Sequence, residues 1–136
     1  MFRTEWTDYE EALARFCNAY GDFYSYANRK RKKASKVRAL SEKLSRSKDV
    51  LLKQKQLVGL TGGLAFLDNA YFDGFEIKNG EVQGDLVKAY QWADTWSQKY
   101  LNGEEKSEIF LETAFLLFSL IPYERYCRAW QKAQMM

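Results

Sequence analysis

Residues 28–55 read NRKRKKASKVRALSEKLSRSKDVLLKQK, and whether this stretch continues the helix before it or interrupts it decides the architecture of the N-terminal half. It holds twelve of the 21 Lys and Arg against two acids, Glu42 and Asp49, for a formal charge of +10. The other 108 residues carry nine cations and sixteen acids, a charge of −7, so the overall +3 conceals strong segregation. Such segregation sets up a long-range field and requires an anionic counterpart, either outside the molecule or in its own acidic remainder.

Working outward toward the N-terminus, Thr7 with Glu10 has capping-box spacing, and Asp8, Glu10 and Glu11 supply the acids that a helix start favours. From there Trp6, Tyr9, Leu13, Phe16, Tyr20, Phe23 and Ala27 step by three and four, which predicts one apolar helix face. The same count continues through Lys30, Ala34, Val37, Ser41, Leu44, Lys48, Leu51, Lys55 and Val58, so the register survives while its polarity rises. One long helix satisfies this pattern, and so do two helices broken near Asn28 or Ser35. The five cations 29–33 oppose the dipole at a helix start and favour it at a helix end. We therefore expect a first helix ending near Lys33 and a second, capped by Ser35, running to about Val58. Lys30, Lys48 and Lys55 discourage deep burial of that second seam but tolerate an interface rim, which permits a homodimer.

Downstream, Gly59 should stop the second helix, and residues 64–71 allow a short buried one. FEIKNGEVQG, 75–84, is the clearest local signal. Asn79-Gly80 supplies the positive φ angles of a type I′ turn, and Phe75, Ile77 and Val82 give the flanks an apolar side. Asp85 opens a helix with Leu86, Ala89, Tyr90, Ala93, Trp96 and Tyr100 at helical spacing, and Asn102-Gly103 closes it. Glu104, Glu105 and Glu108 load the start of a segment, IFLETAFLLFSLI, that is apolar almost all round and belongs at the centre of a bundle. Pro122 either kinks this helix or starts a last one. The expected fold is mainly α: a single helical-bundle domain over 1–136, of four to six helices, with one small β-hairpin at about 75–83.

Composition narrows the chemistry. There is no histidine, which removes the commonest general base, thiol activator and metal ligand. Cys17 and Cys127 form no CxxC pair and suit free thiols in a reducing cytoplasm. Residues 1–16 have no apolar run after their first charges, unlike a secretory signal, and the longest apolar-rich segment is shorter than the ~20 residues of a membrane span. Glu105, Glu108 and Glu112 share a helix face but lack an ExxH partner, so they read as helix-start acids plus one exposed glutamate. Asp68, Asn69, Asp73, Gly74 and Glu76 fail the spacing of a calcium loop. Gly62-Gly63 lacks the rest of a phosphate loop and reads as a tight turn. No catalytic residue, cofactor or metal site is expected, and a non-enzymatic binding protein is favoured.

The candidate site is the basic stretch. Arg29, Lys30, Arg31, Lys32, Lys33, Lys36 and Arg38 are densest, and Lys43 and Arg46 continue the row. Cations around most of a helix meet phosphates without reading sequence, so a nucleic-acid backbone is the leading expectation. The alternative is a small adaptor or inhibitor that uses this helix, or the aromatic N-terminal one, to occupy an acidic or nucleic-acid-binding surface of another protein. A solvated face neutralised by the chain's own acids is the plainest reading. A membrane surface fits less well, since the basic helix lacks a Trp, Phe and Leu face. Tyr20, Phe23, Tyr24 and Tyr26 upstream, and Tyr123, Tyr126 and Trp130 beside Arg125 and Arg128, could stack bases, although helical spacing assigns most to the core.

Overall fold

The computed structural model describes residues 4–60, 62–64, 66–67, 71–78 and 80–135, with side chains from Asp8 onward. Among these the protein is mainly helical: α1 (Thr4–Ala27), α2 (Ala34–Leu57), a hairpin of β1 (Phe75–Lys78) and β2 (Glu81–Gly84), then α3 (Leu86–Leu101), α4 (Glu108–Leu120) and α5 (Tyr123–Gln134). Internal packing divides the chain into two compact units, residues 1–65 and 66–136.

In the first unit α1 and α2 pack as a helical hairpin. The α1 seam is buried as its spacing requires: Tyr9, Leu13, Phe16 and Tyr20, joined by Ala12, Cys17 and Ala19. The helix already runs at Thr4, so Thr7 lies inside it and is not its cap. The side chains of Trp6 and Thr7 lie outside the described set. The break comes earlier than charge alone implies. α1 ends at Ala27, residues 28–31 turn, and α2 begins at Ala34 with Lys33 as its N-cap. Ser35 therefore sits in the first turn and does not cap the helix. Carrying α1 through 29–33 would stack like charges at three- and four-residue spacing, and the turn separates them. α2 ends at Leu57 with Val58 as its C-cap, followed by Gly59 at φ +81°.

Past Gly59 the described residues contain no helix before residue 75, so the short helix expected at 64–71 is absent among those of its positions that are described. Asp68 and Asn69 lie outside them. Gly62 and Gly63 lie outside any assigned turn, and Gly63 takes no positive φ. What Gly63 provides is a carbonyl that accepts a 3.1 Å hydrogen bond from Lys55 Nζ. Lys55, expected at a rim, is only 1% exposed. Its stem packs like a hydrocarbon, and a nearby backbone oxygen meets the ammonium that would otherwise oppose burial.

The second unit is built on the hairpin. Phe75 pairs with Gly84, Ile77 with Val82 and Lys78 with Glu81, leaving a two-residue connection in which Gly80 takes φ +76°. Asn79 lies outside the described residues. Phe75, Ile77 and Val82 point one way and pack with Ala89 and Ala93 of α3 and Ala114, Leu117 and Ile121 at and after α4. Asp85 caps α3 by accepting from the Val87 and Lys88 amides at 3.0 and 3.1 Å. Pro122 starts α5 and does not kink α4.

Gly84 closes the hairpin onto α3 at φ +102°, where a Cβ would stand 2.6 Å from the Gly74 carbonyl oxygen and 3.0 Å from Phe75 Cα. Gly59 has similar φ but open space around it. Gly84→Ala should therefore cost more than about 2 kcal/mol, and Gly59→Ala about 1 kcal/mol, which is backbone strain alone. Urea midpoints of the two variants check this ordering, and equal losses would refute the steric account.

Candidate nucleic-acid interface

All nine expected contact residues, Arg29, Lys30, Arg31, Lys32, Lys33, Lys36, Arg38, Lys43 and Arg46, are solvent-exposed. No ion pair engages any of them among the described residues of the first unit. Glu42 and Asp49 are likewise exposed on α2. At ~100° per residue, Lys36, Lys43, Arg46 and Lys53 descend one side of α2, Arg38 borders the outward strip that holds the two acids, and Lys48 falls on the side of Leu44 and Leu51.

The turn that carries the densest cations is organised by Tyr26 at the end of α1. Its hydroxyl accepts the Lys33 backbone N–H at 2.9 Å. Arg29 lies over its ring with the guanidinium carbon 5.2 Å from the centroid, and Lys36 does so with Nζ at 4.6 Å. Lys32 Nζ reaches back to the Ala27 carbonyl at 2.6 Å. The dipole preference expected for these cations is thus met in a different way: the turn folds one of them over the exposed C-terminal carbonyls of α1. One phenol holds the start of α2 and two of the site's cations, a role that sequence spacing did not reveal.

Arg15 is a second addition. A groove along the α1–α2 seam is rimmed by Arg15, Lys43 and Arg46 over Ala12 and Ala19, with Val50 at one end. Residues whose numbers sum to about 61–62 face each other across the hairpin, as Tyr26 and Lys36 do. Once the turn is placed, that rule sets Arg15 opposite Arg46. Periodicity along one helix could not.

Aromatic residues contribute less than their sequence neighbours suggested. In the first unit Tyr20 is buried. Tyr24 packs against Tyr20 and edge-on against Phe23, at centroid distances of 4.4 and 5.1 Å. In the second unit Tyr126 stacks on Tyr90 at 4.2 Å. Tyr123 and Trp130 are 65% and 45% exposed. Arg125 and Arg128, close to them in sequence, project from the opposite side of α5 at ~100° per residue, so cation and ring form no joint platform there.

No known family, curated protein or solved structure matches this chain. The interface therefore rests on geometry and charge.

The acidic residues need one correction. Glu112, expected on the surface, is 1% exposed. α4 is apolar around nearly its whole circumference and buries most of it, so position 112 goes inward regardless of its own polarity. Glu105 Oε1 accepts from the Lys106 and Ser107 amides, both at 2.9 Å, and so satisfies backbone at the entry to α4. No group of three or more metal-ligating side chains occurs among the described residues. Burial, then the charges of Glu108 and Glu112, push the Tyr100 phenol up to about 12 from its ordinary value near 10. Because the folded state holds this proton more tightly, Tyr100 stabilises the fold below pH ~10 and loses that contribution as pH rises toward 12. Tyr100→Phe should flatten the fall of the urea midpoint between those pH values, and parallel curves for variant and parent would refute it.

Proposed function

We propose that this chain is a non-enzymatic binding protein whose basic turn and α2 dock electrostatically on a nucleic-acid backbone. One observation carries the reading: nine cations concentrated in 29–46 are exposed, with no ion pair to any of them among the described residues of the first unit. A face neutralised by the acids of its own unit would instead place carboxylates against these side chains. The lack of histidine further supports binding over catalysis. Cys17 and Cys127, neither of them in a disulfide, suit action in a reducing cytoplasm. Among the described residues no helix is long and apolar enough to cross a membrane.

Titration of labelled DNA and RNA at two salt concentrations tests the proposal. With about six phosphates contacted, affinity should fall roughly a thousandfold between 50 and 200 mM monovalent salt. No binding to either polymer at 50 mM, together with capture of an acidic protein, would replace this reading with the adaptor one.

A further inference from the structure

Resting on that reading, we infer that the ligand is duplex nucleic acid, held through its phosphates and without sequence preference. Among its described residues the first unit presents exposed charge and no exposed aromatic ring. Tyr9, Phe16 and Tyr20 are buried, Tyr24 packs against Tyr20 and Phe23, Tyr26 lies beneath Arg29 and Lys36, and Phe23 is half-buried in a groove beside Lys32 and Arg38. Proteins that hold single strands draw about 1–3 kcal/mol per base from exposed rings. Without them, a single strand offers this surface only its backbone.

Rigidity points the same way. From Lys36 to Lys53 the cations are fixed to one continuous helix, a row about 25 Å long at 1.5 Å per residue. A duplex carries one charge per ~1.7 Å of axis on a stiff frame, so such a row meets phosphates that are already in place. A single strand must first be straightened, and that ordering subtracts from affinity. Of the row's four cations, Lys36, Lys43 and Lys53 are point charges that suit phosphates, and only Arg46 carries the planar fork that pairs bidentately with a base edge. The surface thus supports positioning by phosphates and no selection among bases.

Tyr26 is a positioning residue in this scheme. It makes no contact with the polymer, yet its ring and hydroxyl hold Arg29, Lys33 and Lys36 as a preformed set.

Fluorescence anisotropy with the full chain decides the matter, using two unrelated 24-base-pair DNA duplexes, a duplex RNA and the component single strands. Either duplex type should bind at least about tenfold more tightly than its own strands, and the two DNA sequences should agree within about threefold. Tyr26→Ala, which leaves the net charge unchanged, should weaken duplex binding about five- to tenfold, while Tyr26→Phe, which keeps the ring, should stay within about twofold. Circular dichroism of both variants separates lost positioning from lost folding. Single strands that bind as tightly as duplexes, or a strong preference for one sequence, would overturn the duplex inference and leave nucleic-acid binding intact. Absence of binding to every polymer at 50 mM salt would overturn both.

Discussion

Replacing Arg29, Arg31, Lys32 and Lys33 together by glutamate should reduce duplex affinity by at least roughly a thousandfold at 100 mM salt. Each phosphate contact removed takes about one unit from the slope of log affinity against log salt, and reversed charges add repulsion to the lost attraction. The four residues lie in the turn, outside the hydrogen-bonded bodies of α1 and α2, so the helices should persist. The Lys32 bond to the Ala27 carbonyl and the Arg29 contact with the Tyr26 ring are forfeited, while the backbone bond from Lys33 to the Tyr26 hydroxyl is kept. The control makes the same net change elsewhere: Lys78, Lys99, Lys106 and Lys132 to glutamate, all exposed and all in the second unit. If affinity followed overall charge, both variants would lose it equally. If the turn is the site, the control should keep most of its binding and most of its salt slope. Anisotropy titrations of the two variants, with their far-UV spectra, make the comparison.

Leu117→Ala should destabilise the second unit by about 3–4 kcal/mol. Leu117 is fully buried in a cluster that includes Ala89, Ala93 and Ala114. Large-to-small changes in a core lose the transfer energy of the removed methyls and add the cost of whatever cavity remains. Three alanines among its neighbours cannot extend into the space, so the cavity should stay open and the cost should fall in the upper part of the usual range. Leu57→Ala removes the same atoms from a side chain that is 62% exposed and should change stability by less than about 0.5 kcal/mol. Urea denaturation of the two variants tests the contrast. A loss below about 1.5 kcal/mol for Leu117→Ala would show that the surroundings close over the gap.

The elements that were legible in the sequence share one property: their determinants lie within a few residues of each other. Asp85 caps α3 through amides two and three positions away. Gly80 supplies the positive φ that the hairpin connection needs. Tyr9, Leu13, Phe16 and Tyr20 form a buried stripe because a helix returns to the same face every three to four residues. Exposure of the nine cations follows from their density, since no interior could accept so many charges.

The misreadings have the opposite character. Cations 29–33 were expected inside a helix end because the dipole term is local and visible. The competing contributions were not: Tyr26 accepting from Lys33 seven residues on, and Lys32 returning to Ala27, exist only once the turn has formed. Arg15 joined Lys43 and Arg46 only when the hairpin register was known.

Local chemistry alone therefore determined that this chain is helical with one hairpin, and that its positive charge is gathered in one stretch. The packed structure alone decided where the first helix stops, that Tyr26 organises the basic turn, and that Lys55 and Glu112 lie inside. The reason is that periodicity and capping are properties of neighbours along the chain. Burial of a charge depends on which distant backbone and side-chain groups arrive beside it, and the residue's own polarity does not report that.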